Sequence, residues 1–293
     1  MIAGVDLALP QLLQVPPLHR FLAGQVVSNL RGGQYRAASR GRGMEFADVR
    51  GYLPGDDVRN IDWRITARTG KPHTKLFREE RDRCVYTLLD LDPAMYFGSQ
   101  GQLKARLGTL LAAAAAWQAL QQGDRIGGLV LLGESLHYHP PAGRRRDLLR
   151  WLQHLLAHYQ QGLTRPAATH SLRQALQRLS ELVRPGSQIH IISDFFRMDD
   201  SAWLWLRRLH NSQQVFCYQI TDALEEQVQG QGALEVENGR QHGWLGMHDA
   251  AFVQHYRQIA RHRQAGIQRQ LHDTCQRAFR LDAARRLSGK EPT

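Results

Sequence analysis

From residue 84 onward the apolar positions fall into two alternating rhythms. Short, mostly apolar runs at Val85–Leu89, Arg125–Leu132, Ile189–Ile192 and Val215–Ile220 have the length and continuity of strands buried on both faces. Between them lie longer stretches with apolar residues three and four apart. These are Lys104–Gln121, Arg145–Tyr159, Ser171–Val183 (Leu172, Leu176, Leu179 and Val183) and Ala202–Leu209, and the spacing predicts helices with one buried face. Leu136–His139 suits a hairpin edge to the second strand. Phe252–Phe279 reads as one long helix with Phe252, Tyr256, Ile259, Ile267 and Leu271 on one side. Strand and helix in alternation predict an α/β three-layer sandwich around a mainly parallel sheet.

The first 83 residues follow another pattern. A short apolar segment ends at Pro16-Pro17, a helix-like stretch covers His19–Leu30, and Gly32-Gly33 interrupts it. Residues 34–83 read as short extended pieces and turns. Pro54-Gly55 suits a tight turn, because Pro presets φ and Gly accepts positive φ. Thr74–Phe77 has the character of a strand. The patterns together predict a β-rich N-terminal module over 1–83, an α/β domain over 84–248 and a basic C-terminal helix over 249–293.

Composition adds bounds. The chain has 293 residues, 42% of them hydrophobic, enough for one large core or two ordinary ones. Its longest apolar run, Leu107–Leu120, falls short of the roughly 20 residues a membrane-spanning helix needs. An Ala-rich helix packed on a sheet fits that run, and no transmembrane segment is expected. The N-terminus has no basic leader and no clear cleavage site. Cys84, Cys217 and Cys275 are too scattered for a disulfide framework or a zinc motif, which favours a reducing, cytoplasmic setting. The formal net charge is +11, and Tyr256–Lys290 holds nine Lys/Arg against Asp273 and Asp282, a local net of +7. The solvated face of an amphipathic helix accounts for such a run. With few aromatic residues beside it, single-stranded nucleic acid is not an expected partner.

Two predicted strands end in carboxylates: Asp90 and Asp92 after the first, Asp194 after the one near residue 190. Open α/β sheets place ligand sites at the C-terminal ends of their strands. If these strands are neighbours, three carboxylates meet in one crevice. Two unit charges about 4 Å apart repel by roughly 4 kcal/mol at an effective dielectric near 20, against a typical net domain stability of about 5–15 kcal/mol. A divalent cation, an Arg or a proton has to offset that. All-oxygen donors favour Mg²⁺, Mn²⁺ or Ca²⁺; helix capping and Arg pairing are the alternative without metal.

The arrangement resembles a von Willebrand factor A domain. The metal-dependent adhesion site of that fold uses Asp-x-Ser-x-Ser after the first strand, a Thr from a later loop and an Asp after a later strand. Here Asp90-Leu-Asp92-Pro-Ala94 stands in the first position: Asp90 matches, Asp92 replaces the first Ser and Ala94 the second. Asp194 matches the later Asp, and Thr169 or Ser171 could stand for the Thr. The resemblance implies a Mg²⁺ or Mn²⁺ site with altered donors, or a degenerate one that holds no metal.

A longer signature lies upstream. Gly43-Met-Glu-Phe46, Arg50, Tyr52, Pro54-Gly55-Asp56-Asp57, Arg59, Ile61-Asp62-Trp63 and Ala67-Arg68, with Ser193-Asp194-Phe195 and Asp222-Ala-Leu-Glu225 downstream, closely resemble the bacterial domain-of-unknown-function fifty-eight family over about residues 34–225. Its members typically sit beside MoxR-type AAA+ ATPases and other von Willebrand A-domain proteins. The resemblance implies a non-enzymatic protein-interaction factor in chaperone-like assembly or metal insertion. Arg50, Asp56, Asp57 and Arg59 are the expected partner-docking residues, in a turn held by Arg–carboxylate pairs and anchored by Trp63. The alternative is a metal-dependent phosphoesterase or nuclease built on the Asp cluster. There is no P-loop and no Gly-x-Ser-x-Gly elbow. His154 and His158 have metal-ligand spacing on a helix, but HLLAH lacks the Glu of a zinc protease.

Overall fold

The computed structural model describes residues 4–22, 44–79, 83–164, 172–226, 233–237, 242–246, 250–275 and 277–284. The chain divides into two compact units. Residues 36–82 form one; residues 1–35 together with 83–293 form the other. The boundary after residue 82 falls within one residue of the pattern-based one; residues 1–35 and the C-terminal 249–293 instead group with the α/β domain. In the larger unit the short helices α1 (Leu9–Leu13) and α2 (Leu18–Leu22) bury Leu12 and Phe21 in its core. The apolar lead-in is therefore part of the α/β domain.

The smaller unit is built on the antiparallel pair β1 (Met44–Gly51) and β2 (His73–Glu79), with α3 (Trp63–Thr69) between them. The Pro54-Gly55 turn forms as expected: Asp56 N–H donates to Leu53 C=O at 3.0 Å and Gly55 takes φ 107°, a value other residues adopt only under strain.

The larger unit is organised around a six-stranded sheet. Its chain order is β3 (Cys84–Asp90), α4 (Lys104–Gln121), β4 (Arg125–Leu132), β5 (Ser135–Ala142), α5 (Arg145–Gly162), α6 (Leu172–Leu182), β6 (Gln188–Ser193), α7 (Asp200–Ser212) and β7 (Gln214–Thr221). Then follow α8 (Ala223–Glu226), a separate antiparallel hairpin of β8 (Ala233–Glu237) and β9 (His242–Gly246), α9 (Ala250–Thr274) and β10 (Arg277–Asp282). The strand order across the sheet is β5-β4-β3-β6-β7-β10. Only the β4–β5 pair is antiparallel; the others are parallel. Side chains alternate across the sheet into two cores. Val85 and Leu89 join α4 and α5 on one face, while Tyr86 and Leu88 join α6, α7 and α9 on the other. The Ala112–Ala116 run lets α4 lie close to the strands. At Gly108 an added Cβ would stand 3.1–3.3 Å from Leu89, Ile192 and Ile220, so the smallest residue fits there.

The C-terminal region is not an appended helix. α9 stops at Thr274, and the chain returns as β10 to pair in parallel with β7. Phe279 sits at helical spacing from the residues before it. The open edge of β7 offers unpaired backbone groups, and a strand satisfies them where a continued helix cannot. Ile267 and Leu271, expected on the inner face of α9, are buried; Ile259, expected there too, is half exposed, and Ala260 and Gln264 are buried in its stead. Cys217 and Cys275, far apart in sequence, meet in the core, where burial and the neighbouring Cys275 push the Cys217 thiol up. None of the described helices is long and apolar enough to cross a membrane.

Candidate functional site

In this sheet the chain winds from β3 outward in one direction and from β6 in the other, so the order reverses between these two central strands. Such a reversal opens a crevice at the strands' C-terminal ends. Asp90 is the last residue of β3, and Asp194 directly follows β6. Both are buried, as is Asp92.

The three carboxylates do meet, and each oxygen has a donor. Asp90 Oδ1 accepts from the Asp92 N–H at 3.0 Å and its Oδ2 from Ser193 Oγ at 2.6 Å. Asp92 Oδ1 accepts from the Ala94 N–H at 3.1 Å, capping a 3₁₀ turn over Pro93–Tyr96, and its Oδ2 pairs with Arg197 at 2.9 Å. Asp194 Oδ1 accepts from the Phe196 N–H at 3.0 Å, and its Oδ2 from Lys104 Nζ at 2.9 Å. Lys104 Nζ also donates to Glu225 Oε1 and lies 5.0 Å from the centre of the Phe196 ring.

Backbone geometry helps hold this arrangement. Phe195 has φ 59°, the one positive value among the described non-glycine residues. Left-handed backbone at a bulky residue costs on the order of 1–3 kcal/mol and persists only where surroundings enforce it. Here the buried Phe195 ring stacks on Trp203, and its N–H donates to Ser193 Oγ. Asp222, beyond β7, accepts from both the N–H and the hydroxyl of Ser99. Glu225 Oε2 accepts from the Asp222 N–H at 3.2 Å.

Burial dominates the electrostatics. It pushes Asp90 up to about 7, with Asp194 and Asp92 adding repulsion. It also raises Asp92 and Glu225. For Lys104 burial pulls downward, but Asp194 and Glu225 outweigh it and the net shift is upward. The ammonium is therefore charged at neutral pH.

This donor set does not fit a hard divalent cation. Mg²⁺ or Mn²⁺ needs convergent oxygens with accessible lone pairs, and a cation already bonded to those oxygens competes for them. Here an ammonium and a guanidinium are bonded to two of the three candidate ligands. Among the described residues no group of three or more His, Cys, Asp or Glu is arranged to hold a metal. Thr169 and Ser171, the candidates for the remaining ligand, lie outside the described residues.

Sequence reasoning missed Lys104, Arg197 and the role of Glu225. Lys104 carried a signal: it is the first residue of a helix that is otherwise apolar on nearly every side. A cation at a helix N-terminus opposes the helix dipole, so an unusual partner was implied. His154 and His158 join His137, His139 and Trp151 in an aromatic cluster between β5 and α5. His137 and His158 stack with centroids 4.1 Å apart. Burial and His154 hold His139 below the usual histidine range.

In the smaller unit the expected docking residues divide. Asp56 binds Arg50 at 2.8 Å and accepts from the Leu53 N–H at 2.9 Å. Asp57 caps a 3₁₀ turn over Val58–Asn60, and Asp62 caps α3 by accepting from the N–H groups of Arg64 and Ile65. These three carboxylates hold the turn. The Leu53 backbone donor and then Arg50 keep Asp56 below the usual carboxylate range. Arg59 is exposed. Trp63 is no anchor: it is 69% exposed, with Leu53 at 59% and Val58 at 60%. As the first residue of α3, right after its cap, it has its ring set outside the small core.

The strand order, the single antiparallel edge strand and the carboxylate crevice at the switch point define a von Willebrand A-like α/β protein. The chain belongs to the family described as "Protein of unknown function DUF58", which matches residues 48–266. It is 26% identical over 219 residues to the uncharacterized protein Rv1480 of Mycobacterium tuberculosis and, to the same degree, to the uncharacterized protein Mb1516 of Mycobacterium bovis. Each match covers 73% of this chain and 66% of the relative, so the chain spans just under two thirds of their length. Among solved structures it is similar to the conserved hypothetical protein BatB of Bacteroides thetaiotaomicron (TM-score 0.40, 13% identity, 66% of this chain and 98% of that one). It is also similar to the SpRpn10 VWA domain (TM-score 0.37, 11% identity, 70% and 90%).

Proposed function

We propose that this chain is a non-enzymatic, cytoplasmic protein-interaction factor that works with a MoxR-type AAA+ ATPase in assembly or metal insertion, docking through the 36–82 unit. The observation that carries this is the exposure of Leu53, Val58 and Trp63 within eleven residues. Large apolar side chains concentrated on one surface segment mark interaction sites. The segment is stiff, because Asp56, Asp57 and Asp62 satisfy its turns from within, so little conformational freedom is lost on binding. Exposed Arg59 adds a charged group beside the apolar ones. The crevice supports the same reading. An enzyme needs a base or nucleophile free to act on substrate, whereas Asp92 and Asp194 are each committed to an internal cation.

Co-purification with the ATPase encoded alongside tests the proposal. The wild type is expected to associate. Leu53→Ala/Trp63→Ala and Arg59→Glu are expected to weaken association at least tenfold, and Asp90→Ala/Asp194→Ala to weaken it less. No association by the wild type, together with metal-dependent phosphodiester cleavage by the isolated chain, would overturn it in favour of a phosphoesterase or nuclease.

A further inference from the structure

The crevice at the switch point contains its own cation. The Lys104 side chain is 0% exposed, and a lysine almost never reaches full burial without paired charge. Its ammonium bonds Asp194, which follows β6, and Glu225, which follows β7. Lys104 itself begins α4, and its N–H donates to Phe97 C=O at 2.9 Å. One side chain thus ties together three segments that leave the C-terminal edge of the sheet. Arg197, 36% exposed, does the same for Asp92 nearer the surface. Ser193 and the backbone N–H of Asp92 supply the donors for Asp90.

We infer that Lys104 takes the place of a divalent cation, and that the crevice is a metal-independent electrostatic clamp. A hard cation would organise the same edge by drawing carboxylates from separate loops onto one positive centre. Lys104 supplies that centre covalently, so the edge is organised in every molecule whatever the metal concentration. A divalent ion placed against Asp194 would have to expel the ammonium or sit against its charge. The inference is independent of which partner docks on the 36–82 unit.

Three measurements on the full chain test it. Mn²⁺ titration followed by electron paramagnetic resonance should show no binding by the wild type that depends on Asp90 or Asp194. Melting temperatures should coincide in EDTA and in millimolar MgCl₂ or MnCl₂. In metal-free buffer Lys104→Met should melt well below the wild type, and Lys104→Met/Asp194→Asn should recover part of the loss, because it removes one of the two carboxylate charges left without their cation, Glu225 being the other. Should the single variant fail to fold, the wild-type titration and the double variant still decide. Mn²⁺ bound equally by wild type, Asp90→Asn and Asp194→Asn lies outside the crevice and agrees with the inference. Mn²⁺ binding by the wild type that Asp90→Asn and Asp194→Asn abolish would overturn it, as would a Lys104→Met variant with unchanged stability in EDTA.

Discussion

His190 sets an acid limit on the stability of this fold, and its size can be worked from the surroundings. It lies in the central strand β6 and is fully buried. Nδ1 is 2.8 Å from the Tyr218 hydroxyl and Nε2 is 2.6 Å from Gln188 Nε2, and the ring stacks on Phe216 and Tyr218. Burial, with a smaller contribution from the Arg83 charge, pushes it down from 6.5 to about 3. The unfolded chain therefore takes up a proton that the folded chain refuses. Stability from the neutral ring is complete above about pH 6.5 and is lost as the pH falls toward 3. Between pH 7.5 and 4.5 the loss is about 3 kcal/mol, since each pH unit below the unfolded value contributes about 1.4 kcal/mol. Asp90 works in the opposite sense. Its carboxyl is raised from 3.8 to about 7, so the stabilisation from its proton is complete below about pH 4 and is lost as the pH rises to 7. Comparing wild type with His190→Gln cancels that background, because both carry Asp90. Urea unfolding at half-unit pH steps should show the wild type's advantage over His190→Gln shrinking by about 3 kcal/mol between pH 7.5 and 4.5. A difference that stays constant over that range would refute the reasoning and place a charged or solvent-reached imidazole in the core.

Other expectations follow from packing and capping. Leu281→Ala, in the edge strand β10 and 3% exposed, should cost about 2–5 kcal/mol in urea unfolding; a neutral result would mean that β10 does not belong to the sheet. Asp62→Ala removes the cap of α3 and should cost about 1 kcal/mol, measurable as a lower melting temperature. Trp63→Ala should leave stability within about 0.5 kcal/mol, because the ring is largely in solvent, while weakening association with the partner.

Local pattern was sufficient for elements whose environment is uniform along their length. β3, β4, β6 and β7 are buried on both faces, so continuous apolar runs identified them. α5 and α6 bury one stripe, and leucines at helical spacing identified them. The position of Asp90 and Asp194 was legible because a carboxylate closing an apolar strand stands out, and the Gly–Asp–Arg signature identified the family. Long-range choices were not written locally. Phe279 continues a helical spacing, yet the free edge of β7 makes its segment a strand. Leu12 and Phe21 look like a detached lead-in until the core covers them. Trp63 looks like an anchor until the small unit proves to have no place for it. The charge balance of the crevice depended most on tertiary structure. Lys104 is 90 residues from Asp194 and 121 from Glu225, and only closure of the sheet brings the three together. The sequence determined that buried carboxylates would need a counter-charge. The fold decided that a lysine supplies it, because burial makes any uncompensated charge at that edge too costly to leave unpaired.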